Sequence, residues 1–333
     1  MISTVLVTGA AGFVGSHFSR VAADAGLRVV ALDDLSTTPR WPRLPAAIEC
    51  VVGDVGDRAL VAQIVADRDV GAIVHFAGRI RVDESVREPA LYFEQNLSRT
   101  IALLDAATSA TRQLSFILSS SAAVYGQPER SPIVELAPTR PISPYGASKL
   151  AAEIALEAYG RARGVSSGQG TGVRWAALRY FNASGAHPDG TLREMHDPET
   201  HLVPLAIDAA LGARPPIIVH GDDYATRDGT CERDYVHVLD LAEAHLAALS
   251  ALGRGVVVGA VNLGSEKGFT VREVLAEVSA AVGRPVPHTV GPRREGDPPG
   301  LVAAVGLAGE KFGWHPRRDL AEVVADALRS RSA

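Results

Sequence analysis

Tyr145 and Lys149 stand four residues apart just after Ser143-Pro144, at the head of a helical pattern. That spacing puts both side chains on one helix face, one turn apart. A phenol so placed can transfer protons if its ordinary pKa of about 10 is brought down. A neighbouring ammonium and a cationic cofactor ring both favour the phenolate. The run Ser119-Ser120-Ser121 closes a β-rich segment, so its hydroxyls belong at the carboxyl edge of a sheet, where substrates of open α/β proteins bind. Ser121 is the best candidate to hydrogen-bond a reacting oxygen, while Ser119 and Ser120 end the strand.

A second constellation lies at the start of the chain. Val7-Thr8-Gly9-Ala10-Ala11-Gly12-Phe13-Val14-Gly15 sets three glycines between a strand and a helix. Gly9 permits the tight turn, Gly12 lets a pyrophosphate approach the backbone, and Gly15 lets helix and strand pack closely. The helix N-terminus then offers free N–H groups to phosphate. Asp33, 18 residues past Gly15, ends the second β-rich run, where a carboxylate accepts from an adenosine ribose. The same carboxylate repels a 2′-phosphate, and no arginine immediately follows to receive one, so NAD is favoured over NADP. Asp54 and Val55, in Gly53-Asp54-Val55, fit an adenine contact.

These residues need a scaffold, and the periodicity supplies one. Strands are expected at Thr4–Thr8, Arg28–Leu32, Ile48–Val52, Ala72–His75, Leu114–Leu118 and Val173–Arg179. Helices are expected at Phe13–Ala25, Arg58–Asp67, Pro89–Ala110 and Tyr145–Arg163. Such alternation describes an α/β protein with a doubly wound parallel sheet. Ser166–Gly172 has loop composition and reads as a flexible surface insertion. After Tyr180 the chain is rich in Gly, Pro, Asp and His, with one helix at Leu202–Leu211. A helix at Val238–Leu252 and a strand at Val256–Leu263 read as a return to the main sheet. The expected division is a dinucleotide-binding unit over residues 1–180 with return segments near 234–264, and a smaller lobe over 181–233 and 265–333. The cleft between two such lobes is a place for a small ligand.

Composition narrows the partners. The 333 residues carry a net charge of −5, and only three of the 33 basic residues are lysines (Lys149, Lys267 and Lys311). A mildly acidic chain without a basic tract is a poor binder of nucleic acid or anionic membranes. No apolar run reaches the roughly 18 residues of a membrane span, and no signal pattern opens the chain, so a cytoplasmic location is expected. Cys50 and Cys231 are too few for a disulfide framework or a zinc cluster, and no metal site is expected.

Over nearly its whole length the chain resembles the extended short-chain dehydrogenase/reductase family and, within it, the UDP-glucose 4-epimerases. The resemblance rests on the glycine turn, His75-Phe76-Ala77-Gly78, Ser119-Ser120-Ser121, Ser143-Pro144-Tyr145-Gly146 and Arg179-Tyr180-Phe181-Asn182. It rests also on Gly185-Ala186-His187-Pro188, Asp228-Gly229-Thr230-Cys231, Arg233-Asp234-Tyr235-Val236-His237-Val238 and Arg293-Arg294-Glu295-Gly296-Asp297. It implies a Rossmann-type sheet with a C-terminal substrate-binding lobe, a bound NAD and a UDP-hexose epimerised through a 4-keto intermediate. Tyr145 would move the proton, Ser121 would hold the oxygen, and Lys149 would bind the nicotinamide ribose and lower the Tyr145 pKa. Phe76, Ala77, Gly78, Asn96, Ser119, Tyr180 and Phe181 would line the cofactor. Asn182, His201, Leu202, Arg233, Arg294 and Asp297 would hold the UDP part, the two arginines as a pyrophosphate clamp. A homodimer through the helices at Pro89–Ala110 and Tyr145–Arg163 is also implied.

Four positions depart from the family pattern. Ile80 stands where many epimerases have a cofactor-contacting lysine, with Arg79 and Arg81 beside it. His220 replaces a phenylalanine that packs on uracil, and Arg99 replaces a glycine. Leu301 replaces a pocket-restricting tyrosine and suggests room for an N-acetyl group. Ala122-Ala123 lacks the acid pair of a nucleotide-sugar dehydratase and the glutamate of a UDP-glucuronate decarboxylase. A 4-epimerase of UDP-glucuronate or of a specialised nucleotide sugar is the alternative. A non-catalytic NAD-sensing protein would be expected to have lost Tyr145 or Lys149.

Overall fold

The structure is a computed structural model that describes residues 2–111, 114–165, 173–196, 198–294 and 297–332. Six strands open the chain: β1 (Thr4–Thr8), β2 (Arg28–Asp33), β3 (Glu49–Val52), β4 (Ala72–His75), β5 (Leu114–Ser121) and β6 (Val173–Tyr180). With Gly259–Leu263 they form a seven-stranded sheet, parallel throughout, in the order Gly259–Leu263, β6, β5, β4, β1, β2, β3. The order reverses between β1 and β4, so the loops after Thr8 and His75 diverge and leave a crevice at their carboxyl ends. Thr8 Oγ1 and His75 Nδ1, 2.7 Å apart, tie those two ends together.

The expected strands and helices of residues 1–180 are present, with ends shifted by a few residues, and the insertion expected at Ser166–Gly172 lies outside the described residues. One helix differs in kind. Pro89–Ala110 is three pieces, α-helical at Pro89–Phe93 and Arg99–Ala110 with a π-helical turn at Glu94–Ser98 between them. The wide turn carries Asn96, whose carboxamide bonds the backbone of Arg79 rather than its own helix. Such turns commonly mark functional positions.

Apolar side chains pack on both faces of the sheet, as central parallel strands require. The helices Phe13–Asp24 and Val238–Gly253 cover one face around Val7, Phe18 and Leu249. On the other face, Arg58–Asp67, Arg99–Ala110 and Pro144–Val165 close over Leu6, Ile73, Leu104 and Phe116. Burying one such side chain stabilises the fold by about 1.5–3 kcal/mol.

The rest of the chain builds small sheets. Glu232–His237 pairs with Gly268–Thr270, Gly300–Leu301 and Asn182–Ser184, and Ile217–His220 pairs with His288–Gly291. Helices Leu202–Ala210, Val271–Val282 and Leu320–Ser332 pack there around Tyr235. Three helices not expected from the proline-rich composition occur here, at Val271–Val282, Gly306–Phe312 and Leu320–Ser332. The first is set by a capping box, Thr270 Oγ1 accepting from the Glu273 N–H while Glu273 accepts from the Thr270 N–H. The strand expected at Val256–Leu263 begins only at Gly259, whose φ of 76° breaks the extended run before it.

Candidate active site

A cavity of about 530 Å³ opens at the sheet's carboxyl edge. The glycine turn forms one wall, and its close fit explains the residue type. A Cβ on Gly9 would lie 2.4 Å from the Ala77 nitrogen, and one on Gly15 would lie 2.2 Å from the Gly9 oxygen. Neither neighbour can yield, because both are backbone. Phe13 and Val14 begin the helix beyond and line the same cavity.

Asp33 ends β2 and accepts from the Ala11 N–H at 3.0 Å and the Leu35 N–H at 2.9 Å. Burial raises its carboxyl pKa, and those two backbone bonds work against the rise. Each oxygen takes only one protein donor, which leaves lone pairs for ribose hydroxyls. Asp54 and Val55 also face the cavity. Arg99 meets Asp54 at 2.6 Å and Asp34 at 3.9 Å, so the arginine that replaces a glycine neutralises acids along this wall.

The serine run, Tyr145 and Lys149 meet on the cavity wall. Ser119, Ser120 and Ser121 end β5, and the helix Pro144–Val165 carries Tyr145 and Lys149 past them. Lys149 is buried and donates to the Ser119 carbonyl at 2.9 Å. Burial lowers its ammonium pKa to about 8, with the charge of Glu153 pushing the other way, so it remains mostly protonated at pH 7. Burial raises the Tyr145 phenol, and a hydrogen bond with Ser121 pulls it back. The expected depression of the phenol is therefore not met by the protein alone, because desolvation outweighs the partner bond.

Behind this wall lies a buried polar network. Glu153, one turn past Lys149, accepts from Arg179 at 3.0 and 2.6 Å and from Ser120 Oγ. Arg179 also donates to Tyr125 Oη at 2.9 Å, and that hydroxyl donates to Asn262 at 2.7 Å. This network fixes the serine run and the helix against each other.

Among the expected cofactor residues, Phe76, Ala77, Gly78 and Tyr180 line the cavity, but Asn96 stands behind its wall. Its Oδ1 accepts from the Arg79 N–H at 2.7 Å, and its Nδ2 donates to Ser148 at 3.0 Å, so it props the loop that faces the cavity. Asn182 and His201 line the cavity too. The structure does not bring Leu202, His220, Arg233, Arg294, Asp297 or Leu301 onto that wall. Arg233 pairs with Asp297 at 3.3 Å and bonds the Pro298 carbonyl at 3.0 Å, and Leu301 sits opposite it in the neighbouring strand. His220 faces the Pro292 carbonyl at 3.3 Å, and Arg294 is exposed.

Two groups of lining residues went unread in the sequence. Asp34 and Ser36–Thr38 flank a left-handed Leu35 with a φ of 58°, and only the Asp-Asp-Leu-Ser stretch hinted at a turn. His196, Pro198 and Thr200 belong to the segment preceding helix Leu202–Ala210. Its signal was the pair of histidines five residues apart with acids beside them.

Residues 5–264 match the model of the NAD dependent epimerase/dehydratase family. The UDP-glucose 4-epimerase of Azospirillum brasilense is 45% identical over 325 residues, which are 97% of this chain and 90% of that protein. The UDP-glucose 4-epimerase of Streptomyces lividans is 44% identical over 336 residues, covering 100% of this chain and 97% of that one. The crystal structure of the Brucella ovis UDP-glucose 4-epimerase in complex with NAD superposes with a TM-score of 0.90 at 44% identity, covering 98% of this chain and 97% of the other.

Proposed function

The chain belongs to the NAD dependent epimerase/dehydratase family, and from that premise we propose how its side chains carry out the reaction. It catalyses the NAD-dependent 4-epimerisation of a UDP-hexose. One observation carries the assignment of roles: a single cavity is lined by the glycine turn, Asp33, Ser121, Tyr145 and Lys149.

The walls suit the cofactor. The turn around Gly9 and Gly15 has no room for side chains, so backbone N–H groups meet a pyrophosphate directly. Asp33 accepts from the adenosine ribose and repels a 2′-phosphate. When bound, NAD supplies the hydride acceptor, and later the donor, for the sugar C4. Tyr145 as phenolate accepts the proton of the 4-hydroxyl and returns it once the 4-keto sugar has turned over in the cavity. Ser121 hydrogen-bonds the 4-oxygen throughout. Because burial opposes the phenolate, Tyr145 needs positive charge nearby, which the nicotinamide ring of bound NAD and the ammonium of Lys149 would supply.

The UDP part is assigned to Asn182, His201, Leu202, His220, Arg233, Arg294 and Asp297, with Leu301 bordering the sugar. Arg233 and Arg294 offer guanidinium donors to the two phosphates. Residues 1–180 with 234–264 form the cofactor unit, and 181–233 with 265–333 the substrate lobe. A homodimer through Pro89–Ala110 and Pro144–Val165 suits the exposed Phe93 and Ile154, although Leu104 and Leu156 belong to the core. No helix among the described residues is long and apolar enough to cross a membrane. The free thiols Cys50 and Cys231 suit the reducing cytoplasm.

The test is incubation of purified protein with UDP-galactose, without added NAD. UDP-glucose should form. No interconversion of any UDP-hexose, with NAD bound to the protein, would overturn the reading.

A further inference from the structure

Before helix Leu202–Ala210, two cavity-lining histidines and two glutamates beside them cluster closely. Glu194, His196, Glu199 and His201 each present a ligating atom, and all these atoms lie within 4.8 Å of one another. Glu194 is 7% exposed, at the back of the group. Both imidazole Nδ1 atoms converge on its single oxygen Oε1: His196 at 2.8 Å, and His201 in a closer contact. Glu199 Oε1 lies 3.5 Å from His201 Nδ1.

Hydrogen bonding accounts for only part of this arrangement. His201 makes a hydrogen bond to Glu194, but His196 Nδ1 is shielded from solvent and has no hydrogen-bond partner. Its distance to the carboxylate is short enough, but its direction is wrong for donation. A buried nitrogen within reach of two carboxylates and a second imidazole, yet without a well-directed hydrogen bond to any of them, is available as a ligand. Four donors around one zinc-sized ion, each at about 2.0–2.2 Å, stand roughly 3.5 Å from one another. Two imidazoles and two carboxylates are a borderline donor set that suits zinc, cobalt or nickel better than magnesium or calcium.

We propose that Glu194, His196, Glu199 and His201 bind one divalent transition-metal cation of the zinc type. The ion fixes the segment that carries His196, Pro198, Thr200 and His201 along the cavity wall. It neutralises two carboxylates there and takes no part in hydride or proton transfer. The four residues lie close together in sequence, just before helix Leu202–Ala210, so binding sets the entry to that helix.

The test uses the full chain with its NAD, stripped with EDTA and titrated with Co²⁺ as a spectroscopic probe. One Co²⁺ per chain should bind with the intense visible ligand-field bands of a four-coordinate site, and Zn²⁺ should displace it. Zn²⁺ at about a hundredfold excess over its Kd should raise Tm by roughly 5 °C. His196→Ala and Glu199→Gln should each weaken Co²⁺ binding at least about tenfold. Circular dichroism checks that both variants fold, and if His196→Ala does not, Glu199→Gln decides. A hydrated six-coordinate spectrum, sub-stoichiometric binding, or unchanged affinity in the folded variants would overturn the site. The four residues would then be a pair of glutamate–imidazolium contacts. None of these readouts depends on turnover of a UDP-hexose.

Discussion

The residues proposed for the chemistry and those proposed for UDP sit on very different protein surfaces. The proposed reacting group, Ser121 at the end of β5 with Tyr145 and Lys149 on helix Pro144–Val165, is backed by the buried Glu153–Arg179 pair, whose side chains are 6% and 7% exposed. The residues assigned to UDP sit on short strands and turns, where Arg294 is exposed and Arg233 is engaged with Asp297 and backbone carbonyls. The placement proposed for the chemistry rests on the end of a central parallel strand and a helix packed against it. On the proposed assignment, recognition of a flexible diphosphate falls to long side chains that can reorganise. The difference teaches that geometry is invested where the transition state needs it, and that binding residues can stand off the wall until a ligand draws them in.

Substitutions on either side can break that contrast, and the largest effect belongs to the chemistry. Tyr145→Phe should lower kcat about a thousandfold, in the usual range for loss of a positioned acid–base group. Quantifying UDP-glucose formed from UDP-galactose checks this, with NAD content of the variant as a control. A loss below tenfold would remove Tyr145 from proton transfer.

Next is the scaffold behind it. Glu153→Ala strands the Arg179 guanidinium without its carboxylate partner and should cost about 3–5 kcal/mol by urea unfolding. A cost under 1 kcal/mol would mean that the pair does not anchor the serine run. On the recognition side, Arg233→Ala should raise KM for the UDP-sugar about ten- to hundredfold with kcat nearly unchanged, since it removes charge-assisted bonds made equally in ground and transition states. A fall in kcat instead would join the two regions into one unit.

The smallest effect is a pH slope in stability. Burial lowers His17 and His245 to about 4, and burial together with nearby cationic charge lowers His75 and His237 to about 3. Below the unfolded pKa of about 6.5 the unfolded chain binds more protons at these sites, so stability falls as the medium is acidified toward pH 4. Each histidine contributes roughly 1.4 kcal/mol per pH unit in that window. Asp234, raised to about 6 by burial, acts in the opposite sense between pH 6 and 4 and offsets about one of the four. Unfolding curves at pH 7, 6 and 5 check the sign, and His75→Gln should flatten the slope by about one histidine's share.

Much of the cofactor half was legible before any coordinates. Glycines that must have no Cβ, a carboxylate at a strand end and a Tyr–Lys pair on one helix face are local facts. Their spacing maps directly onto a turn, a strand length and 3.6 residues per turn. The substrate half was less legible. Composition dominated by proline and glycine concealed the helices Val271–Val282 and Leu320–Ser332, whose starts depend on caps such as Thr270 and Glu273. The family resemblance implied Asn96 as a cofactor contact, and the π-helical turn that directs its carboxamide to the Arg79 backbone has no signature in residue types alone.

What the sequence by itself determined is the local chemistry: a dinucleotide turn, an NAD-favouring acid and a phenol with an ammonium one turn away. Tertiary structure alone decided the electrical state of that chemistry. Burial depends on what packs around a group from distant parts of the chain, so the rise of the Tyr145 pKa and the fall of the Lys149 pKa appear only once the sheet and its helices have closed. The same holds for Arg99 against Asp54, for Glu153 against Arg179, and for two histidines converging on one carboxylate. Charges and lone pairs interact over a few ångströms of space, and only the fold sets which of them come that close.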